Sequence, residues 1–324
     1  MLAKPNWQTI LADGYTDPQK LLHDLGLPEI DVSAHRLFRT RVPKPFADKI
    51  EPNNPNDPLL LQVLPIADEF TNVDGFVADP LAEQQFNPIS GLLHKYQSRV
   101  LLTFQGACAI NCRYCFRRHF DYADNHINAK QLEKVIDYIK QHSHINEVIL
   151  SGGDPLMAKD KTIQTAIEAF ETLPQLKRLR IHTRLPIVIP ERITDDLVQM
   201  LTKTYLRTVM VLHCNHPNEI DEHFAKHIRP LTDNGVQLLN QSVLLKGVND
   251  NADTLAELSE KLFDYRIMPY YLFMLDKVSG AAHFNVEEHI AQQLIRDMAA
   301  QLPGYLVPKL TRETAGMTSK DMWV

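Results

Sequence analysis

Cysteine is scarce in this chain: four occur in 324 residues. That number, three of them crowded together, does not describe a small secreted domain stapled by disulfides. Long apolar runs are missing as well. No stretch approaches the roughly 18 apolar residues that a membrane-spanning helix needs, and Met1-Leu-Ala-Lys-Pro-Asn-Trp7 holds no apolar signal segment. Positive charge is in deficit, 34 Lys and Arg against 40 Asp and Glu, for a formal net charge of −6. A broad phosphate-binding surface is therefore not expected, and neither nucleic acid nor membrane is an expected partner. Lys177-Arg178-Leu179-Arg180 is a short basic patch at a strand entrance and reads as a solvated edge. There is no internal repeat and no low-complexity linker. What remains is ordinary globular composition, 44% hydrophobic and 23% charged, in a chain long enough for one large core with a smaller appendage.

The cysteines that do occur carry the strongest signal. Cys108, Cys112 and Cys115 lie in the run Cys108-Ala-Ile-Asn-Cys112-Arg-Tyr-Cys115-Phe-Arg-Arg, spaced Cys-x3-Cys-x2-Cys. A structural zinc site closes with four ligands, and a fully ligated 4Fe-4S cluster takes four cysteines. Three leave one metal corner open, where an iron can bind a small molecule. For zinc, the fourth ligand has to be Cys214 or a distant histidine, which keeps a zinc-stabilised, non-catalytic binding protein as an alternative. Thiolates meant for a cluster must stay reduced, so the expected location is cytoplasmic.

Organisation changes near residue 95. Residues 1–95 read as a helical, proline-rich extension: Thr16-Asp17-Pro18 starts a helix with a cap and a proline at the first helical position, Leu21, Leu22 and Leu25 form its apolar stripe, and Gly26 stops it. Prolines at 43, 45, 52, 55, 58 and 65 then interrupt the chain. From Val100 onward, apolar strands alternate with amphipathic helices. Strands are expected over 100–104, 147–150, 179–182, 208–212, 236–240 and 268–275. Between and after them lie helical patterns such as Leu132, Val135, Ile136 and Ile139. Six β-α units of parallel type give an α/β fold, a partial barrel or a doubly wound open sheet. In either, ligands sit at the carboxyl ends of the strands. Polar residues stand there in succession: the cysteine loop after the first strand, Ser151-Gly152-Gly153-Asp154 after the second, His182-Thr183-Arg184 after the third, His213 after the fourth, Asn240-Gln241-Ser242 at the fifth and Asp276-Lys277 after the sixth. Five strand ends doing this in turn after the cysteine loop point to one shared polar cavity.

The cysteine spacing, with Tyr114 before the third cysteine, resembles that of the radical S-adenosylmethionine (SAM) enzymes, in which the open iron chelates SAM and electron transfer from the reduced cluster cleaves it. Ser151-Gly-Gly-Asp-Pro155, His216-Pro-Asn-Glu219, Asn240 to Leu245, Pro269-Tyr-Tyr271, Gly280 to Phe284 and Gly304 to Pro308 narrow the resemblance to the lysine 2,3-aminomutase family, across roughly residues 92–320. That resemblance implies a partial (βα)6 TIM-like barrel of the radical SAM type over 96–311, followed by a tail, 312–324, that carries the lysine holding pyridoxal phosphate (PLP). It implies an isomerase that uses a 4Fe-4S cluster, SAM and PLP to move an amino group from C2 to C3 of an amino acid. Carried over by position, Cys108, Cys112 and Cys115 hold the cluster. Ser151, Gly152, Gly153, Asp154, His213 and Gln241 lie on the SAM side. Lys320 is the catalytic PLP lysine, with Lys95 and Arg99 near the PLP phosphate. Arg117 pairs with the substrate α-carboxylate, and Asp276 and Glu313 hold the ε-ammonium of lysine, glutamate standing where the family usually has aspartate. The run before Lys320 keeps Gly316 of a glycine-rich segment, and a lysine so near the chain end is expected in a mobile tail that PLP holds in place.

Within the family, Cys115-Phe-Arg-Arg-His-Phe120 and the short tail resemble the branch associated with elongation factor P. That branch makes (R)-β-lysine from L-lysine for a separate ligase, and implies a flavodoxin- or ferredoxin-type reductant and a monomer or dimer. A catabolic aminomutase acting on free lysine or on glutamate is the enzymatic alternative.

Overall fold

The alternation after Val100 builds a single sheet, described in a computed structural model over residues 6–120, 127–317 and 319–323. Residues 1–5, at the start of the segment read for a signal sequence, and Thr318 in the run before Lys320 lie outside the described residues. The strands are β1 (Leu92–Tyr96), β2 (Arg99–Gln105), β3 (Glu147–Gly152), β4 (Arg178–Thr183), β5 (Arg207–His213), β6 (Gln237–Val243), β7 (Met268–Phe273), β8 (Lys309–Arg312) and β9 (Asp321–Trp323). They lie side by side in chain order. Pairing is parallel from β2 through β8, with antiparallel β1 and β9 at the two edges.

Short helices α1 (Trp7–Ala12), α2 (Pro18–Asp24), α3 (Lys44–Ala47) and α4 (Pro58–Leu61) precede the sheet. The crossovers are α5 (Ala129–Gln141), α6 (Asp160–Glu171), α7 (Leu185–Val188) with α8 (Asp195–Lys203), α9 (Glu222–Asp233), α10 (Ala252–Asp264) and α11 (Glu288–Gln301). Side-chain caps set where most of them start: Asn128 accepts from the Gln131 amide, Thr194 from Leu197, Asp221 from Phe224 and Asn251 from Thr254. α5 then buries Leu132, Val135, Ile136 and Ile139. Strand β4 shows how the sheet divides inside from outside. Leu179 and Ile181 are buried in the core under the helices, while Arg180 and His182, one residue out of phase, line a cavity on the other face.

The fold is thus a partial TIM-like barrel, its six β-α units running from β2 to α11. Three strands were not expected from the sequence. β8 and β9 hold four and three residues, too short to show a period, and β1 falls inside the span read as the extension. The extension also shares the barrel's core: Trp7, Leu21, Phe46 and Leu59 pack in one cluster with Leu102, Leu150, Leu185 and Leu212. Among the described residues no pairing closes β1 onto β9. The sheet curls far enough that side chains bridge the gap, Lys95 Nζ on β1 lying 3.3 Å from Glu313 Oε1 just after β8. No described helix is long and apolar enough to cross a membrane.

The tail departs from expectation. Lys320 does not hang from a free end. It directly precedes β9, which pairs with β8 through Arg312–Asp321, Thr311–Met322 and Leu310–Trp323. Thr311 Oγ1 donates to the Asp321 carbonyl at 2.6 Å and Arg312 lies over the Trp323 ring at 5.2 Å. Backbone pairing ties this segment to the sheet.

Candidate active site

A cavity of about 430 Å³ fills the curl of the sheet. All the site residues singled out from the sequence line it: the three cysteines, Ser151 to Asp154, His213, Gln241, Lys95, Arg99, Arg117, Asp276, Glu313 and Lys320.

The cysteine loop follows β2 directly, and the extension holds it in place. Arg41 Nη1 donates to the Cys108 carbonyl at 3.2 Å, the Asn111 amide to Arg41 O at 3.0 Å, and the Arg113 amide to Gln62 O at 2.9 Å. Glu69, whose side chain is 0% exposed, takes two arginines from the loop: Arg113 Nε at 2.8 Å and Arg118 Nη2 at 2.5 Å. The three sulfurs do not all lie within 4.8 Å of one another. Cys214 is buried away from the cavity wall, its thiol directed at the His216 carbonyl. Burial and then Cys112 push the Cys115 thiol up to about 11, and burial with the neighbouring thiols raises Cys108 well above its ordinary value. Positive charge at the site would lower both. Arg184 Nη1 donates to Cys112 Sγ at 2.8 Å and its other side is held by Glu219 at 2.9 Å.

Behind the loop, β3 ends on Gly152 with Gly153 directly after it, for a steric reason. A Cβ on Gly152 would stand 2.5 Å from Gln105 O, and one on Gly153 2.6 Å from Ala107 O. Gly152 also has φ +116°, open to glycine alone. The amides of Gly153 and Asp154 donate to Gln105 O and Ala107 O at 2.6 and 2.9 Å, so the turn is sewn onto the start of the cysteine loop. The Asp154 carboxylate accepts from Thr183 Oγ1 and the amides of Leu156, Arg184 and Leu185. It shapes the wall by fixing the end of β4. His213 and Gln241 are register neighbours on β5 and β6. Burial, then Arg184, lowers His213 to about 3, so it is a neutral imidazole, stacked against Tyr114.

The opposite end is a set of charges. Lys320 Nζ bonds to Glu313 Oε2 and lies 4.9 Å from the Phe273 ring centroid. Lys95 bonds to Glu313 Oε1 at 3.3 Å and stands 3.9 Å from Glu83. Burial raises Asp276 to about 7, with Glu313 adding to the effect, while Lys320 and Lys95 hold Glu313 below its ordinary value against burial. Arg117 makes a bidentate pair with Glu83 at 2.7 and 2.8 Å, and its Nη1 donates to Gly152 O at 3.1 Å. Arg99 lies over the Tyr96 ring at 4.0 Å and, among the described residues, pairs with no carboxylate.

Several of these partners were not legible beforehand. Glu83 comes from the extension, 34 residues before Arg117, with no motif around it. Glu69 gives no signal either. Arg184 and His182 stood in the polar strand ends but carried no assigned role.

The chain matches the model of the Radical SAM superfamily over residues 102–258. It is 53% identical over 322 residues to the L-lysine 2,3-aminomutase of Haemophilus influenzae, covering 98% of this chain and 95% of that one. Against the protein of the same name from Escherichia coli it is 51% identical, covering 98% and 94%. Against that of Clostridium subterminale it is 38% identical, covering 87% and 68%. A radical SAM methyltransferase structure from Sphaerobacter thermophilus superposes with a TM-score of 0.52 at 13% identity over 68% of each chain, a likeness of fold.

Proposed function

The chain belongs to the lysine 2,3-aminomutase family of radical SAM enzymes, and from that premise we propose that it converts L-α-lysine to (R)-β-lysine for modification of elongation factor P. Membership makes it an isomerase with a 4Fe-4S cluster, SAM and PLP. Bound, the cluster and SAM supply a hydrogen-abstracting radical, and PLP a conjugated partner for the migrating nitrogen.

The observation that carries the reading is that one cavity joins the thiols, a carboxylate-binding arginine, two acids and a lysine. Cys108, Cys112 and Cys115, which line the cavity together, would hold the cluster. Ser151, Gly152, Gly153, Asp154, His213 and Gln241 form the SAM side, the two glycines and Asp154 mainly by shaping it. Lys320 would carry PLP. Of the two cations proposed for its phosphate, Arg99, without a carboxylate partner among the described residues, is better placed than the paired Lys95. Arg117 offers a planar fork to an α-carboxylate, and Asp276 with Glu313 offers two acids to the ε-ammonium. Arg117 is held by Glu83 and Glu313 by Lys320, the contacts that a substrate carboxylate and ammonium would have to replace. Lys320 engaged with PLP leaves Glu313 for the incoming ammonium.

The same two acids disfavour glutamate, whose γ-carboxylate they would repel. The partners proposed are a flavodoxin- or ferredoxin-type reductant and an elongation factor P β-lysine ligase, in the reducing cytoplasm, with the enzyme a monomer or dimer. Anaerobic reconstitution with iron, sulfide, PLP, SAM and a reductant tests the reading: β-lysine should form from L-lysine, and coupling to the ligase should transfer it to elongation factor P. SAM cleavage without amino migration on lysine or any other amino acid would sink it. A catabolic role would show as β-lysine that the ligase does not use.

A further inference from the structure

His182 lies on the cavity wall one inward step beyond Arg180 on β4, level with Val211 of β5. Its side chain makes no hydrogen bond to the described residues, and its Nε2 is buried without a partner. A buried imidazole nitrogen left unpaired loses its hydration with nothing in return. Every other ionisable side chain on this wall that points inward from β4 is paired: Arg180 with Glu147 at 2.7 Å, and Arg184 beyond it with Glu219 at 2.9 Å. His182 therefore faces whatever fills the cavity. Burial first, then Arg180, Lys320 and Arg117, holds its pKa well below the ordinary histidine value. A neutral ring brings one N–H and one lone pair, and no charge, to a region already rich in cations. Its register partner Val211 stands two residues before His213 on β5, so the ring lies one inward step deeper in the barrel than His213 of the SAM side, where Lys320 and Arg117 both act on it.

We propose that His182 is a direct contact of PLP carried by Lys320, hydrogen-bonding to the cofactor through its imidazole; the inference rests on the function proposed above. The full chain, reconstituted with its cluster, is titrated with PLP while the absorbance of the lysine-bound cofactor is followed. Relative to wild type, H182F is expected to bind PLP about tenfold more weakly, the loss of one hydrogen bond, and to shift that absorbance band. Iron content and affinity for SAM should not change. H182Q, which keeps a donor and an acceptor, should recover part of the affinity. H182F with wild-type PLP affinity and an unmoved band overturns the proposal. So does a loss confined to SAM binding, which would assign the imidazole to the other ligand. If H182F does not fold by circular dichroism, H182A is read by the same criteria. A wild-type protein with no absorbance band that depends on Lys320 would refute the proposed function and this inference with it, whereas a normal wild-type band with indifferent His182 variants refutes the inference alone.

Discussion

The two ends of the cavity are built differently. At the cysteine end, backbone hydrogen bonds and one buried carboxylate, Glu69, fix the loop from several directions. At the lysine end, Glu83, Lys95, Glu313 and Lys320 hold one another by charge, across a gap that no backbone pairing closes among the described residues. The first arrangement does not depend on which ligand is present. The second is matched internally and must exchange partners when cofactor and substrate arrive. Three thiols can wait for a cluster in a rigid loop, whereas charges in a half-closed barrel are stable only while every one is answered.

Substitutions at each end should therefore fail in different ways. Cys112→Ala is expected to have the largest effect, removing iron and sulfide from the reconstituted protein and abolishing SAM cleavage. Lys320→Ala should eliminate covalently held PLP and amino migration while leaving the cluster signal and reductive SAM cleavage in place. Loss of the cluster in that variant would mean that the ends are not separable. Glu69→Gln leaves Arg113 and Arg118 buried without their shared carboxylate, a cost on the order of 3–5 kcal/mol, to be read as a lowered thermal midpoint with PLP binding retained by what folds.

Smaller effects concern Asp276. Its pKa of about 7 in the ligand-free protein means that binding an ammonium requires the carboxyl to lose its proton below that pH. Lysine affinity should then fall by up to about tenfold per unit as pH drops below 7, a trend absent from Asp276→Asn, with proton release visible by calorimetry in buffers of different ionisation heat. The sign for stability runs the other way. A carboxyl whose folded pKa is raised contributes stability in full below its unfolded value near 4 and loses it as pH rises through about 7. Least of all, Glu313→Asp shortens one acid by a methylene and should alter KM for lysine by less than about tenfold.

What the sequence disclosed follows the same division. The cysteine loop was legible because its three cysteines lie within eight positions, and the Gly152–Gly153 turn because backbone contact with Gln105 and Ala107 demands glycine there. The strands β2 to β7 were legible from period and apolar runs. β8 and β9 were not, since so few residues carry no pattern and their pairing is a tertiary fact. Nor were Glu83 and Glu69, acids in an irregular extension whose meaning depends on arginines far along the chain. His182 was visible as a polar strand end, but its lack of any partner is seen only in three dimensions.

The central claim is that both ends serve one reaction in one cavity, and transfer of label between them tests it most directly. With lysine deuterated at C3 and the fully reconstituted enzyme, deuterium should appear at the 5′ carbon of recovered SAM and at C2 of β-lysine. SAM cleaved at a normal rate with no deuterium at its 5′ carbon would contradict the account.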